Sequence, residues 1–231
     1  MKTSQEIMAD VREILSTKWQ TREGRKVPEA EDVKLGNDAV KLEGTVLYAD
    51  LNDSTGLVNG YKDWFAAEIY KSYLVAACHI IRNNNGTITA FDGDRVMAVY
   101  IGSTKNSSAA KTALQIGFMV KEINAAVKNA YPNTSYQMRQ AIGIDTTDLF
   151  VARTGIRNSN DLVWVGRSAN YAAKLCGLVD GNYSSFITES VYNILSDETK
   201  YGGNPRQSMW EKSYWQEYSI AIYKSNWTWK F

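Results

Sequence analysis

Two carboxylates, Asp50 and Asp94, stand where chemistry could be done. Asp94 follows Asp92-Gly93 within Thr87-Ile-Thr-Ala-Phe-Asp-Gly-Asp-Arg-Val-Met-Ala-Val-Tyr100. Two β-branched and aromatic runs joined by Asp-Gly predict a tight hairpin, because these residues tolerate the φ > 0 that the turn needs. Asp50 ends the apolar run of Gly44-Thr-Val-Leu-Tyr-Ala-Asp-Leu-Asn-Asp-Ser-Thr-Gly56, which suits a strand over 45–50 buried on both faces. With these strands side by side the carboxylates converge, and two charges that cannot be separately neutralised are most easily held together by a divalent metal. Hard oxygen ligands that leave positions open for water and phosphate oxygens suit Mg2+ or Mn2+. The structural alternative for Asp94 is a cap on its own turn.

A second pair stands further along. Asn170 and Lys174 are four apart on one helical pattern, so both point the same way. Two acidic strand tips, an amide and a cation together suit a metal-bound triphosphate.

The elements that must position these groups follow from periodicity. Residues 4–19 place Ile7, Val11, Ile14 and Leu15 on one face and predict an amphipathic helix with Ser4 as N-cap. It is expected to pack on the domain or on a second copy. Residues 20–43 are polar, broken by Gly24, Pro28 and Gly36, and read as a connecting arm. Helical spacing over 59–83 is closed by Asn83-Asn-Asn-Gly86. A helix over 107–130 follows the hairpin, then strands at 136–144 and 149–152. Val163 to Leu175 reads as a strand end, a Gly turn and a helix, and a strand near Phe186 and a helix over 189–195 precede a closing hairpin within 208–230. The order β, α, ββ, α, ββ, α, β, α, ββ indicates an α+β domain, helices packed on one face of a mostly antiparallel sheet. The division expected is a helix and arm over 1–43 and a catalytic domain over 44–231.

Composition narrows the function. In 231 residues, 44% hydrophobic with seven Trp and fourteen Tyr, there is ample material for a core. The 26 basic and 25 acidic residues nearly cancel, which argues against a nucleic-acid partner or a polybasic membrane anchor. Cys78 and Cys176 lack a CxxC spacing and read as reduced core thiols. Neither a signal-peptide block nor a membrane span is visible, so a soluble, cytoplasmic protein is expected. His79 is the only histidine and reads as a core residue, which argues against a His-dependent triad or metal cluster.

Residues 44 to about 225 resemble the class III nucleotide cyclase homology domain of adenylyl and guanylyl cyclases. The matching segments are Tyr48-Ala-Asp50-Leu-Asn-Asp-Ser-Thr55, Phe91-Asp-Gly-Asp94, Arg139-Gln-Ala-Ile-Gly-Ile144 and Val163 to Lys174, in the family's order. The resemblance implies a ferredoxin-like fold in which Asp50 and Asp94 hold two divalent ions. One ion activates the ribose 3′-hydroxyl and the other grips the triphosphate. Metals about 3.5–4 Å apart clamp attacking and leaving oxygens in an in-line displacement at phosphorus. The Leu51 carbonyl is expected to complete one metal site, and backbone amides of Asn52, Asp53, Ser54 and Thr55 to hold phosphate oxygens.

By the same resemblance Asn170 orients the ribose, and Lys174 takes the place of the transition-state arginine, a point charge instead of a bidentate fork. Arg157 corresponds to a triphosphate-binding arginine and Lys212 to a C-terminal phosphate lysine, while Arg139 matches a strand arginine with a structural role. The family's composite sites imply a homodimer. At the purine-reading positions stand Ala90 and Val163, neither an adenine nor a guanine reader, and with Tyr48 and Phe91 nearby they suit a tighter pyrimidine pocket. The chain looks like the pyrimidine cyclases of bacterial Pycsar antiphage systems. That implies conversion of UTP to cyclic UMP and pyrophosphate, and a separate effector that reads the product. Cyclization of CTP, then of a purine nucleotide, then a catalytically inactive nucleotide-binding module are the ordered alternatives.

Overall fold

The computed structural model describes Lys2–Leu178 and Asp180–Phe231. In chain order the elements are α1 (Ser4–Ser16), β1 (Gln20–Glu23), β2 (Asp38–Leu51), α2 (Ser54–Gly60), α3 (Asp63–Asn83), β3 (Thr87–Asp92), β4 (Arg95–Tyr100), α4 (Lys105–Ala130) and β5 (Gln140–Ile156). They continue with β6 (Ser159–Val165), α5 (Arg167–Leu175), β7 (Ser185–Thr188), α6 (Glu189–Ile194), α7 (Asp197–Lys200), β8 (Tyr201–Gly202), β9 (Gln207–Ser208), β10 (Glu211–Trp215) and β11 (Ile220–Ser225). Contacts divide the chain into two compact units, Met1–Glu43 with Asp148–Gly166, and Gly44–Thr147 with Arg167–Phe231.

The larger unit is built on strands ordered β10-β11-β7-β5-β2-β4-β3. All neighbouring pairs with a defined register are antiparallel except β5 with β7. β2 and β4 meet directly, Leu47 opposite Ala98 and Ala49 opposite Val96. On one face Leu47, Ala49, Val96, Ala98, Ile142 and Ile144 join Phe65, Ile69, Tyr73 and Ile81 of α3 and Leu114 and Ile116 of α4 in the main core. Full burial of each Val, Leu, Ile or Phe among them contributes about 1.5–3 kcal/mol. α3 buries Phe65, Ala66, Ile69, Tyr73, Ala77, Ile80 and Ile81 at helical spacing. His79 sits between them in sequence but points outward and is exposed, not part of the core.

The expectation of helices on a single face is corrected by α5. A Cβ on Gly143 would lie 2.1 Å from the carbonyl oxygen of Ala172, so α5 runs against the backbone of β5. Gly143 alternates with the core-facing Ile142 and Ile144, which puts α5 on the opposite face. Leu175 there joins Phe186, Trp215 and Ile222 in a second cluster.

The smaller unit differs from a plain connecting arm. β1 pairs in parallel with the start of β2, Gln20 opposite Asp38, and β6 pairs with the end of β5, Phe150 opposite Val165. Arg22 donates to Asp38 at 2.7 Å, and Asn37 donates to the carbonyls of Ile14 and Thr17 at 2.8 and 2.6 Å, tying down the end of α1. The N-cap of α1 is Thr3 rather than Ser4, in a reciprocal box with Glu6. The expected strands at 136–144 and 149–152 are one strand, β5, and the helical run at 59–83 is two helices, α2 and α3.

Candidate active site

Asp50 is the penultimate residue of β2. The register carries it one step past the Ala49–Val96 pair, opposite Arg95. Arg95 Nη2 and Nε donate to Asp50 Oδ2 at 2.9 and 3.2 Å. The guanidinium also lies 6.0 Å from the centre of the Tyr48 ring. Beneath the sheet the buried Tyr73 hydroxyl donates to the Asp50 carbonyl at 3.4 Å. Arg95 and Tyr73 are the site residues that the sequence reading missed. Arg95 directly follows Asp94 and, by strand pairing alone, must face the residue beyond Ala49, so a signal for it was present.

Asp94 lies just after the turn, where Gly93 adopts φ +61°. Its Oδ2 is buried and has no hydrogen-bond partner. Burial holds the Asp94 carboxyl above the usual carboxylate range; its own main-chain N–H and the Ser54 hydroxyl pull the other way, and the charge of Asp50 adds to the rise. The two carboxylates are thus close enough to repel. An orphaned, electrostatically strained oxygen beside a second carboxylate is an arrangement that a divalent cation relieves. Among the described residues no set of three or more His, Cys, Asp or Glu side chains is placed to hold a metal. Leu51 buries its side chain in the main core.

The loop after Asp50 differs from an open row of phosphate-binding amides. The Asn52 N–H is already used, donating to the Arg139 carbonyl at 3.0 Å. Asp53 adopts φ +61° and its carboxylate accepts from the Gly56 N–H at 3.1 Å, capping α2 with its own negative charge. The Ser54 side chain is turned to Asp94 instead.

On the sheet face opposite the main core Tyr48 lies opposite Met97, which is buried, and Met97 opposite Ala90. A bulge between Ile88 and Ala90 shifts the register here. The row sets an aromatic ring, a thioether and a methyl side by side, while Phe91 is largely exposed at the edge. Cys176, at the end of α5, lies close to Asp50 and Arg95; burial pushes its thiol up to about 12, with Arg95 opposing.

Asn170 and Lys174 are both exposed on α5. Lys174 bonds Tyr218 and pairs with Glu217 at 3.4 Å. Among the described residues no hydrogen bond or ion pair joins Asn170 or Lys174 to Asp50 or Asp94. Lys212 pairs with Glu189 at 2.9 Å and stands opposite Tyr223, which packs on the main-core face away from α5. Arg157 and Val163 belong to the smaller unit, Arg157 in the β5–β6 turn and Val163 in β6 opposite Ala152.

A mostly antiparallel sheet with helices packed on it is the fold of class III nucleotide cyclases. The fold matches the adenylyl cyclase CyaB from P. aeruginosa with a TM-score of 0.69 at 18% identity, over 81% of this chain and 95% of that one. It matches the guanylyl cyclase Cya2 with a TM-score of 0.67 at 17% identity, over 82% and 94%. No family model matches the chain. In sequence it is 48% identical to a uridylate cyclase of Xanthomonas perforans, over 100% of this chain and 99% of the relative, and 45% identical to one of Burkholderia cepacia, over 95% of each. The chain belongs to the uridylate cyclase family. Among the described residues no helix is long and apolar enough to cross a membrane.

Proposed function

We propose that the protein converts UTP to 3′,5′-cyclic UMP and pyrophosphate. The observation that carries this reading is the unpaired, buried Oδ2 of Asp94 beside Asp50. In the reaction the ribose 3′-oxygen bonds to the α-phosphorus as its proton leaves, and the bond to the pyrophosphate oxygen breaks. Two divalent ions, Mg2+ or Mn2+, held by Asp50, Asp94 and the Leu51 carbonyl would supply nucleophile activation and charge neutralisation. Asp50 and Asp94 fix that position because they end paired strands. The main-chain amides of Asp53, Ser54 and Thr55 would meet phosphate oxygens, the Asn52 amide being already bonded.

Asn170 orients the ribose, and Lys174 offsets charge on the transferring phosphoryl group. Within one chain no hydrogen bond or ion pair among the described residues joins them to the acidic pair, and the resemblance to class III cyclases supports a homodimer in which each site takes Asn170 and Lys174 from a second copy. Lys174 must then leave Glu217 and Tyr218, a rearrangement a long lysine accommodates.

For the base, the Tyr48–Met97–Ala90 row offers a flat apolar wall and Arg95 an N–H fork beside it. Uracil presents a carbonyl oxygen where cytosine presents an amine, so a pure donor such as guanidinium favours uracil. The resemblance to antiphage pyrimidine cyclases supports a second-messenger role in a bacterial cytoplasm, with a separate effector binding the cyclic nucleotide. Mass-spectrometric identification of the product from an equimolar mixture of the four ribonucleoside triphosphates with Mn2+ tests the reading. Cyclic UMP is expected; cyclic CMP or a purine product as the main species overturns the base assignment, and no product overturns the catalytic one.

A further inference from the structure

The larger unit also carries a cleft of about 280 Å3 whose walls include Asn52, Gly117, Lys121, Arg139, Gln140 and Thr228. Its volume lies near the lower end of small-molecule pockets, about 300–1,000 Å3. Three observations say what it takes. Gln140 is 4% exposed, yet its Nε2 has no hydrogen-bond partner; a buried donor left unpaired is costly unless a ligand completes it. Arg139 and Lys121 bring two cations, neither paired with a carboxylate among the described residues: Lys121 donates to Thr228 at 3.3 Å, while the wall carboxylate Asp180 is engaged by Lys224 at 2.8 Å. Gly117 sits in the middle of α4, where glycine weakens a helix. A Cβ there would meet Thr228 and Gln140 Nε2 at 3.4 and 3.6 Å, ordinary contact. The glycine is therefore not forced by packing; its missing side chain enlarges the cleft beside the unpaired amide.

We infer that this cleft is an ancillary binding site for a small phosphate-bearing molecule, seated by Arg139, Lys121 and Gln140. Phosphate oxygens supply the acceptors that two cations and an amide donor lack. The source is inorganic phosphate, pyrophosphate or a nucleoside monophosphate.

The site is wired to the acidic tip. The Tyr73 hydroxyl lies 3.4 Å from both Gln140 Oε1 and the Asp50 carbonyl. Asn52 donates from its main chain to the Arg139 carbonyl and from its side chain to that of Gln140. A ligand that draws on the Gln140 amide therefore acts on the backbone that aims Asp50. This coupling rests on the proposed role of Asp50; the binding does not.

Isothermal titration of the full chain in metal-free buffer with inorganic phosphate, pyrophosphate and cyclic UMP tests the site and separates the sources. One of the three is expected to bind with one site per chain, at least tenfold more weakly to Arg139→Met and to Gly117→Leu. Asp94→Asn is expected to leave this binding unchanged. Thermal melts establish that the variants are folded, and Arg139→Met alone, being a surface change, suffices if Gly117→Leu is not. No heat with any of the three at millimolar concentration, or equal affinity in wild type and Arg139→Met, overturns the site. Binding that depends on Arg139 but leaves turnover unaltered overturns only the coupling.

Discussion

Arg95 and Asp50, opposite each other on adjacent antiparallel strands, form an ion pair in which two guanidinium nitrogens converge on one carboxylate oxygen, at 2.9 and 3.2 Å. With 33% and 16% side-chain exposure, the pair is sheltered, and the arginine bonds Asp50 directly while it acts on Asp94 only weakly, as the last of the influences on that carboxyl. If Arg95 also reads the base, Arg95→Met removes the cationic donor beside Tyr48. A hydrogen bond to a charged group is worth about 1.5–3 kcal/mol. The preference for UTP over CTP in kcat/KM is therefore expected to fall by roughly 10–100-fold. An unchanged ratio would remove Arg95 from base selection.

Asp94 ties stability to function in opposite directions. Its folded pKa is raised above the unfolded value, so between the two values the native state holds the proton more tightly, and stability falls as pH rises through that window. Asp94→Asn removes the charge. In metal-free buffer at pH 7 its Tm is expected to rise by about 2 °C or more, with turnover lost by on the order of 10³-fold. Mn2+ should raise the Tm of wild type and not of the variant. A variant less stable than wild type without metal would show that Asp94 is not electrostatically strained.

Sharing of the site between copies is open to complementation. Asp50→Ala and Asn170→Ala are each expected to be inactive, and random exchange of their subunits restores one intact site in half of the dimers, roughly a quarter of wild-type activity. No recovery after demonstrated exchange would place all four residues in one chain's site.

Gly143→Ala drives a methyl into the Ala172 carbonyl and the Cys176 amide. The strain is expected to cost about 1–3 kcal/mol and to displace α5, which carries Asn170 and Lys174. Urea unfolding measures the first effect and kcat the second; a wild-type kcat would mean that the placement of α5 is not critical.

Much of the site was legible because it lies in short stretches whose geometry is local. The Asp-Gly turn flanked by β-branched runs specifies its own hairpin, and the apolar run before Asp50 specifies a buried strand. The smaller unit was not legible: β1 is Gln-Thr-Arg-Glu, exposed at every position, and a polar strand held by backbone pairing leaves no hydrophobic period to read. His79 was misread for the converse reason, since a helix rich in apolar residues still turns one side to water. The engaged amide of Asn52 was missed because its acceptor, the Arg139 carbonyl, is a main-chain atom set by tertiary contact rather than by residue type.

The order of residues alone determined which groups could do chemistry and which local elements carry them, because turn preference and side-chain period act over a few positions. Tertiary structure decided which of those groups meet. The β2–β4 register sets Arg95 on Asp50 and leaves one oxygen of Asp94 without a hydrogen-bond partner, the closeness of Gly143 to Ala172 puts α5 on its own face, and Tyr73 joins Asp50 to Gln140. These are contacts between residues far apart in sequence, fixed only when a shared core excludes water from all of them at once.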